Sequence, residues 1–219
     1  MKRVIIVVEG QTEEAFVNQV LAPDLGTKQI YATATRITTS RNTRAVHKGG
    51  FVNFDHLNRD VTQLLSQDQH CYVSCMVDLY KLPSSVPGYE AAQELADAYA
   101  KVQFLEQALA SHFNSTRFIP YIQLHEFEAL LYADPDAAGR VTARSFVAQM
   151  MNKALLQAHG NPELVNQTPT GAPSKRLLAA FDPYEKVVQG IQIAQLVGLA
   201  TMKAKCAHFK SWYDQLAAL

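Results

Sequence analysis

The stretch Val4-Ile5-Ile6-Val7-Val8-Glu9-Gly10-Gln11-Thr12-Glu13-Glu14 decides the fold. Its first five residues are β-branched and apolar, as in a strand buried on both faces. Gly10 then permits a tight turn, because it has no Cβ to clash at positive φ. Thr12 can cap the helix that follows, with Glu13 and Glu14 near its positive end. Phe16, Val17, Val20 and Leu21 give that helix one apolar stripe to lay on the sheet. A strand running straight into a helix puts Glu9 at the carboxyl end of a parallel strand, where α/β sheets bind their ligands. Glu13, at the top of the helix, can point into the same crevice. The turn is acidic, so it is no phosphate cradle.

Further strands are expected over 30–38, 70–77 and 118–124, with Pro120 pushing the last toward an edge or an irregular register. Helices are expected over 54–65, on Leu57, Val61, Leu64 and Leu65, and over 90–113, on Leu95, Val102, Leu105 and Leu109. The basic segment 40–50, ending in Gly49-Gly50, and the segment 81–88, with Pro83, Pro87 and Gly88, read as loops. A short helix starts at 126–132 and stops before Asp134-Pro135. Strands alternating with helices imply an α/β fold, a mostly parallel sheet of about four strands flanked by helices. From about Asp136 only helix and loop remain. Residues 161–175 are rich in Pro, Thr, Asn and Gly, and helices follow near 185–199 and 203–216. The expected organisation is an α/β core over 1–135 and a helical C-terminal region over 136–219 packed on it.

With 219 residues, 48% of them hydrophobic, the chain can fill one sizeable core or a core with an appendage. Its 20 basic and 20 acidic side chains cancel. That removes the strong electrostatic case for nucleic acid, yet local basic segments can still contact phosphate. No apolar run approaches the roughly 20 residues that span a bilayer, so no membrane partner is expected. Lys2 and Arg3 lead into a strand and an acidic turn without a small-residue cleavage site, which reads as the first strand of a cytoplasmic protein. Cys71 and Cys75 would share a strand face as small buried hydrophobes. Cys206-Ala207-His208 lacks the second ligand pair that a zinc site needs.

Acids recur where strands end: Glu9, Asp78, then Glu126 and Glu128. Ends of neighbouring strands lie about 5 Å apart, so these carboxylates can converge. Crowded carboxylates call for a cation, and hard ions such as Mg²⁺ prefer oxygen ligands. Two such ions can activate a water and stabilise the leaving oxygen of a phosphodiester. The alternative for any single acid is a helix cap or a solvated loop. Glu126 and Glu128 would face about 200° apart on a helix but share a face on a strand. Both stay open, with Glu126 nearer the strand end.

Val7-Val8-Glu9-Gly10-Gln11-Thr12-Glu13 resembles the opening motif of Toprim domains, found in topoisomerases, primases and the OLD nucleases. The chain resembles more closely a bacterial family of stand-alone Toprim-like proteins, often encoded beside an AAA or ABC-type ATPase. The shared pieces run in order along almost the whole chain. After the first they are His47-Lys48-Gly49-Gly50, Val77-Asp78-Leu79-Tyr80-Lys81-Leu82-Pro83 and His125-Glu126-Phe127-Glu128-Ala129-Leu130-Leu131. Ala172-Pro173-Ser174-Lys175-Arg176-Leu177 and Lys205-Cys206-Ala207-His208-Phe209 complete the set. The resemblance implies a Toprim core whose first Glu assists proton transfer or binds metal, and whose Asp-x-Asp motif binds Mg²⁺. Here Asp78-Leu79-Tyr80 departs from that pattern, with Tyr in place of the second Asp. Tyrosine is a poor Mg²⁺ ligand, so one metal site is weakened or recruits Glu126 or Glu128.

Arg36, Arg41, Arg44, His47 and Lys48, at a strand end and in the loop after it, suit either contact with a nucleic-acid backbone or a solvated loop. His208 is either structural or a phosphate contact, and the resemblance favours Arg176 as a further nucleic-acid contact. Lys175 is a candidate to steady a phosphate in the transition state. Phe209, Trp212, Tyr213 and Leu216 read as a packing face. The resemblance therefore implies a Mg²⁺- or Mn²⁺-dependent nuclease acting on DNA, partnered by an ATPase and compatible with a homo-oligomer. Glu9, Asp78 and Lys175 would be catalytic, and Glu9, Glu13, Asp78, Glu126 and Glu128 would hold metal. The alternative is a Toprim-like binding or regulatory module with catalysis weakened or lost. No Walker A glycine-lysine motif is present, which argues against an intrinsic P-loop ATPase.

Overall fold

The computed structural model describes residues 1–41, 46–48, 51–165, 172–181 and 184–219, with side chains for all of these except 40, 41 and 46–48. β1 (Lys2–Val8) buries Val4, Ile6, Val7 and Val8 and is paired along both edges, which is why its sequence is apolar at nearly every position. The chain then enters one helical arm: α1 (Gln11–Phe16), a π-turn at Val17–Leu21 and α2 (Ala22–Thr27). Phe16, Val17, Leu21 and Leu25 form its buried stripe. Pro23 has no N–H to give the preceding turn, and the ladder widens just before it. β2 (Ile30–Arg36) returns parallel to β1, from Ile30 beside Lys2 to Arg36 beside Val8.

The segment 40–50, expected as a loop, contains strand instead. β3 (Thr38–Arg41) and β4 (Val46–Lys48) form a separate antiparallel ribbon with Thr38 beside Lys48. A two-stranded ribbon is held by backbone pairing rather than by an apolar face, so a polar sequence does not disclose it. α3 (Phe54–Gln67) is capped by Asn53, whose side chain accepts from the Asp55 N–H at 3.0 Å. β5 (Cys71–Asp78) lies on the other side of β1, with Arg3 beside Cys71 and Val8 beside Met76. Cys71 and Cys75 are buried free thiols within it.

The single helix expected over 90–113 is two, α4 (Tyr89–Gln93) and α5 (Ala98–Phe113). Asp97 restarts the helix, its side chain accepting from the Ala100 N–H at 2.7 Å. The strand expected over 118–124 divides at Pro120 into β6 (Phe118–Ile119) and β7 (Ile122–Gln123), both parallel to β5. This is the irregular register that a proline without an N–H imposes. The five parallel strands run in the order β2-β1-β5-β6, with β7 also on β5. Arg117, beside β6, donates to the carbonyls of Leu65 (2.8 Å), Asp68 (2.8 Å) and Cys71 (2.9 Å), tying the end of α3 to the start of β5.

The rest of the chain is helical. A 3₁₀ helix at Phe127–Ala133 is followed by α6 (Pro135–Thr142), α7 (Ser145–Gln157) and a 3₁₀ turn at Pro162–Leu164. Then come α8 (Pro173–Ala180), a π-turn at Lys186–Gly190, α9 (Ile191–Lys205) and α10 (Ala207–Ala217). α9 extends through the gap expected after 199 but breaks its geometry at Gly198, where φ is 73°. Two compact units result: Met1–Gln123 with Asp214–Leu219, and Leu124–Tyr213. The division falls before residue 135 because every residue of Phe127–Ala133 is buried and packs with α6, α7, α8 and α9. No helix among the described residues is long and apolar enough to cross a membrane.

Candidate functional site

β1 is the switch point of the sheet: the chain leaves it for β2 on one edge, and β5 occupies the other. Open α/β sheets bind ligands in the crevice beyond the carboxyl ends of strands at such a point. Glu9 follows the last residue of β1, and Asp78 is the last residue of β5. With Val8 beside Met76, the two acids leave the sheet within a residue of each other, on strands about 4.8 Å apart. Both are half-buried. Asp78 lies beside Gln123 of β7, and the Leu79 N–H donates to the Gln123 carbonyl at 2.9 Å, which holds the turn after Asp78 to the sheet.

Glu13 does more local work than the sequence suggested. Its Oε2 accepts from the Gly10 N–H at 2.8 Å, and Gly10 rather than Thr12 occupies the N-cap of α1. Gly10 has φ −142° and ψ −171°, extended backbone that any residue adopts, so positive φ is not what it supplies. A Cβ there would stand 3.0 Å from Glu13 Oε2, so the close approach of the carboxylate is what favours glycine. Tyr80 is half-buried, with the Lys81 ammonium 5.4 Å from its ring centre. Among the described residues no three His, Cys, Asp or Glu side chains converge to hold a metal ion. Mg²⁺ asks for less, since it keeps several waters and takes one or two carboxylates. Glu9 and Asp78, at the ends of adjacent strands, are hard oxygen donors of the kind that Mg²⁺ takes.

The other expected acids belong to the second unit. Glu126 is buried and caps α8: Oε2 accepts from the Ser174 N–H and Oε1 from the Ser174 hydroxyl, both at 3.1 Å. Glu128 is 1% exposed, and the Lys186 ammonium is 2.9 Å from its Oε1. Burial pushes the Glu128 carboxyl up to about 7, against the pull of Lys186. The Tyr132 hydroxyl donates to the Pro173 carbonyl at 3.2 Å, and burial raises the pKa of both Tyr132 and Tyr184. His125 has φ 65°, and burial lowers its pKa. Lys175 is exposed on α8, and Arg176, half-buried, is near enough to Tyr132 to draw its pKa down in part.

His208 is buried, and its backbone N–H is bound by a residue the sequence reading passed over. Glu163, fully buried, caps α10 by accepting from the His208 N–H (3.1 Å) and the Phe209 N–H (2.9 Å). Asn161-Pro162-Glu163 was the available signal, but its partner lies 45 residues away. Glu163→Gln leaves one buried N–H facing an amide donor. It is expected to destabilise the fold by about 2 kcal/mol, read as a lower urea midpoint.

Arg36 forms an ion pair with Glu14 at 3.0 Å. Arg41, His47 and Lys48 lie in β3 and β4, and their side chains fall outside the described residues, as does Arg44 altogether.

Three solved structures are similar to the chain. One is the C-terminal region of the Burkholderia pseudomallei OLD protein, at 18% identity over 99% of this chain and 97% of that one, with TM-score 0.47. The others are the C-terminal region of the Xanthomonas campestris pv. campestris OLD protein, phased with platinum and with iodine. They share 18% and 17% identity over 99% and 100% of this chain and 95% and 97% of theirs, each with TM-score 0.44. No curated protein matches the chain. The family model described as a domain of unknown function, DUF4276, matches residues 8–217, and the chain belongs to that family.

Proposed function

We propose that this protein is a Toprim-like, Mg²⁺-dependent nuclease acting on DNA phosphodiesters and working with an ATPase subunit in defence or repair. One observation carries the reading: Glu9 and Asp78 end adjacent parallel strands at the switch point of the sheet. Mg²⁺ or Mn²⁺ bound there would supply charge stabilisation at a phosphoryl oxygen and a more acidic water. Glu9 and Asp78 are the residues that would hold it, and Glu9 would also take a proton from the attacking water. Tyr80 is suited to donate a hydrogen bond to phosphate, since a phenolic hydroxyl carries a donor proton. Phosphate contacts from Arg41, Arg44, Lys48 and Lys175 would supply salt-dependent affinity.

A second reading is a binding or regulatory module that keeps the fold without the chemistry. It is favoured by Tyr80 at the place of a second Asp and by the lack of a three-ligand cluster among the described residues.

Calorimetric titration with Mn²⁺ separates the two. The parent is expected to bind in the millimolar range or tighter, Glu9→Gln and Asp78→Asn to bind about tenfold or more weakly, and Tyr80→Phe to bind as the parent does. A parent that takes up no metal at millimolar concentration hands the protein to the second reading.

A further inference from the structure

Thr38, the first residue of β3, is held at both of its backbone groups by consecutive residues of α3. Its N–H donates to Asp60 Oδ2 at 2.7 Å, and its carbonyl accepts from the Arg59 guanidinium. Arg59 Nε donates to the other Asp60 oxygen at 3.2 Å, so the arrangement closes on itself. Asp60 is 7% exposed and Thr38 5%. Aspartate is a poor residue for a helix interior, and a buried carboxylate is costly unless bonded. The bond to Thr38 offsets that cost.

Thr38 is also where the chain leaves the sheet. The Ile37 N–H still donates to the Val8 carbonyl at 2.9 Å, one residue before Glu9, while Thr38 is paired with Lys48 of β4. One contact therefore fixes both strands of the β3–β4 ribbon at their root, beside the carboxyl end of β1.

We propose that Arg59 and Asp60 are positioning residues that hold the β3–β4 ribbon, through Thr38, in the orientation that contacts nucleic-acid phosphate. The assignment rests on the nuclease reading, in which Arg41 and Lys48 of this ribbon meet the DNA backbone. Neither Arg59 nor Asp60 acts on phosphate itself.

The test combines amide hydrogen exchange with binding of a fluorescein-labelled DNA duplex, measured by anisotropy on the full chain. Asp60→Ala is expected to speed exchange in 38–41 and 46–48 about tenfold, leave β1 and β5 unchanged, and weaken duplex binding about fivefold or more. Asp60→Asn keeps a carbonyl oxygen for the Thr38 N–H and is expected to restore part of both losses. It also serves if the alanine variant does not fold. Unchanged exchange in 38–41 and 46–48 overturns the proposal, as does faster exchange with parental duplex affinity. A parent that binds no duplex at low salt overturns the nucleic-acid reading and the proposal with it.

Discussion

Glu9→Gln and Asp78→Asn proteins are expected to bind duplex DNA as well as the parent, or slightly better, while Mn²⁺-supported nicking falls about 100-fold or more. The split follows from where charge sits. The two acids stand at the ends of the adjacent strands β1 and β5, and each substitution replaces a carboxylate by a neutral amide with almost no change of shape. Phosphate affinity comes from cations and can only gain when a nearby carboxylate is neutralised. A metal held by two carboxylates loses half of its protein ligands, and the charge stabilisation it lends to the phosphoryl oxygens goes with it. Neither acid is fully buried, so the variants should unfold within about 1 kcal/mol of the parent. Plasmid nicking, duplex anisotropy and urea midpoints on the same preparations give the three readings. Equal nicking by parent and variants sinks the assignment of both acids.

The parts of the fold that were legible are those whose sequence is constrained at every position. β1 is paired on both edges and has few polar residues, so Val4 to Val8 could hardly be anything else. Pro120 announced its own break, because the missing N–H acts wherever the strand is placed. Features decided by a single distant or local bond were not legible. The break in 90–113 rests on Asp97 capping Ala100, in a segment whose apolar spacing continues through Leu95. The β3–β4 ribbon has a mostly polar sequence, with no alternation of apolar residues to declare it.

The site divides in the same way. Glu9 and Asp78 could be placed because each closes an apolar strand. Glu126 and Glu128 could not, since the choice between helix and strand omitted the 3₁₀ helix that forms. Glu126 precedes that helix and reaches Ser174, 48 residues on, and Glu128 finds Lys186. No window of sequence contains both partners. Gly10 was placed correctly for the wrong reason: it makes room for the Glu13 carboxylate, and a side-chain approach of that kind is invisible in φ preferences.

The largest stability effect is expected at Glu128, and it depends on pH. Its carboxyl is raised from an ordinary 4.5 to about 7 by burial, with Lys186 and its own backbone pulling the other way and Glu126 adding to the rise. Between those values the folded protein keeps a proton that the unfolded chain has released. Stability from this difference is fully present below about pH 4.5 and is lost as pH rises through about 7. At 1.36 kcal/mol per unit, the span from 4.5 to about 7 amounts to about 3 kcal/mol. Glu128→Gln keeps the shape and holds the position neutral at every pH. Lys186, 43% exposed, can turn its ammonium to water when its partner loses the charge. The stability of Glu128→Gln relative to the parent should therefore climb by about 3 kcal/mol between pH 4.5 and pH 7 and stay level above it. Taking the difference between two proteins cancels the other titrating groups, which both share. Urea unfolding at pH 5, 6, 7 and 8 supplies the measurement. A parent–variant difference that is constant across that range means Glu128 is ionised in the folded protein, with the Lys186 ion pair outweighing burial.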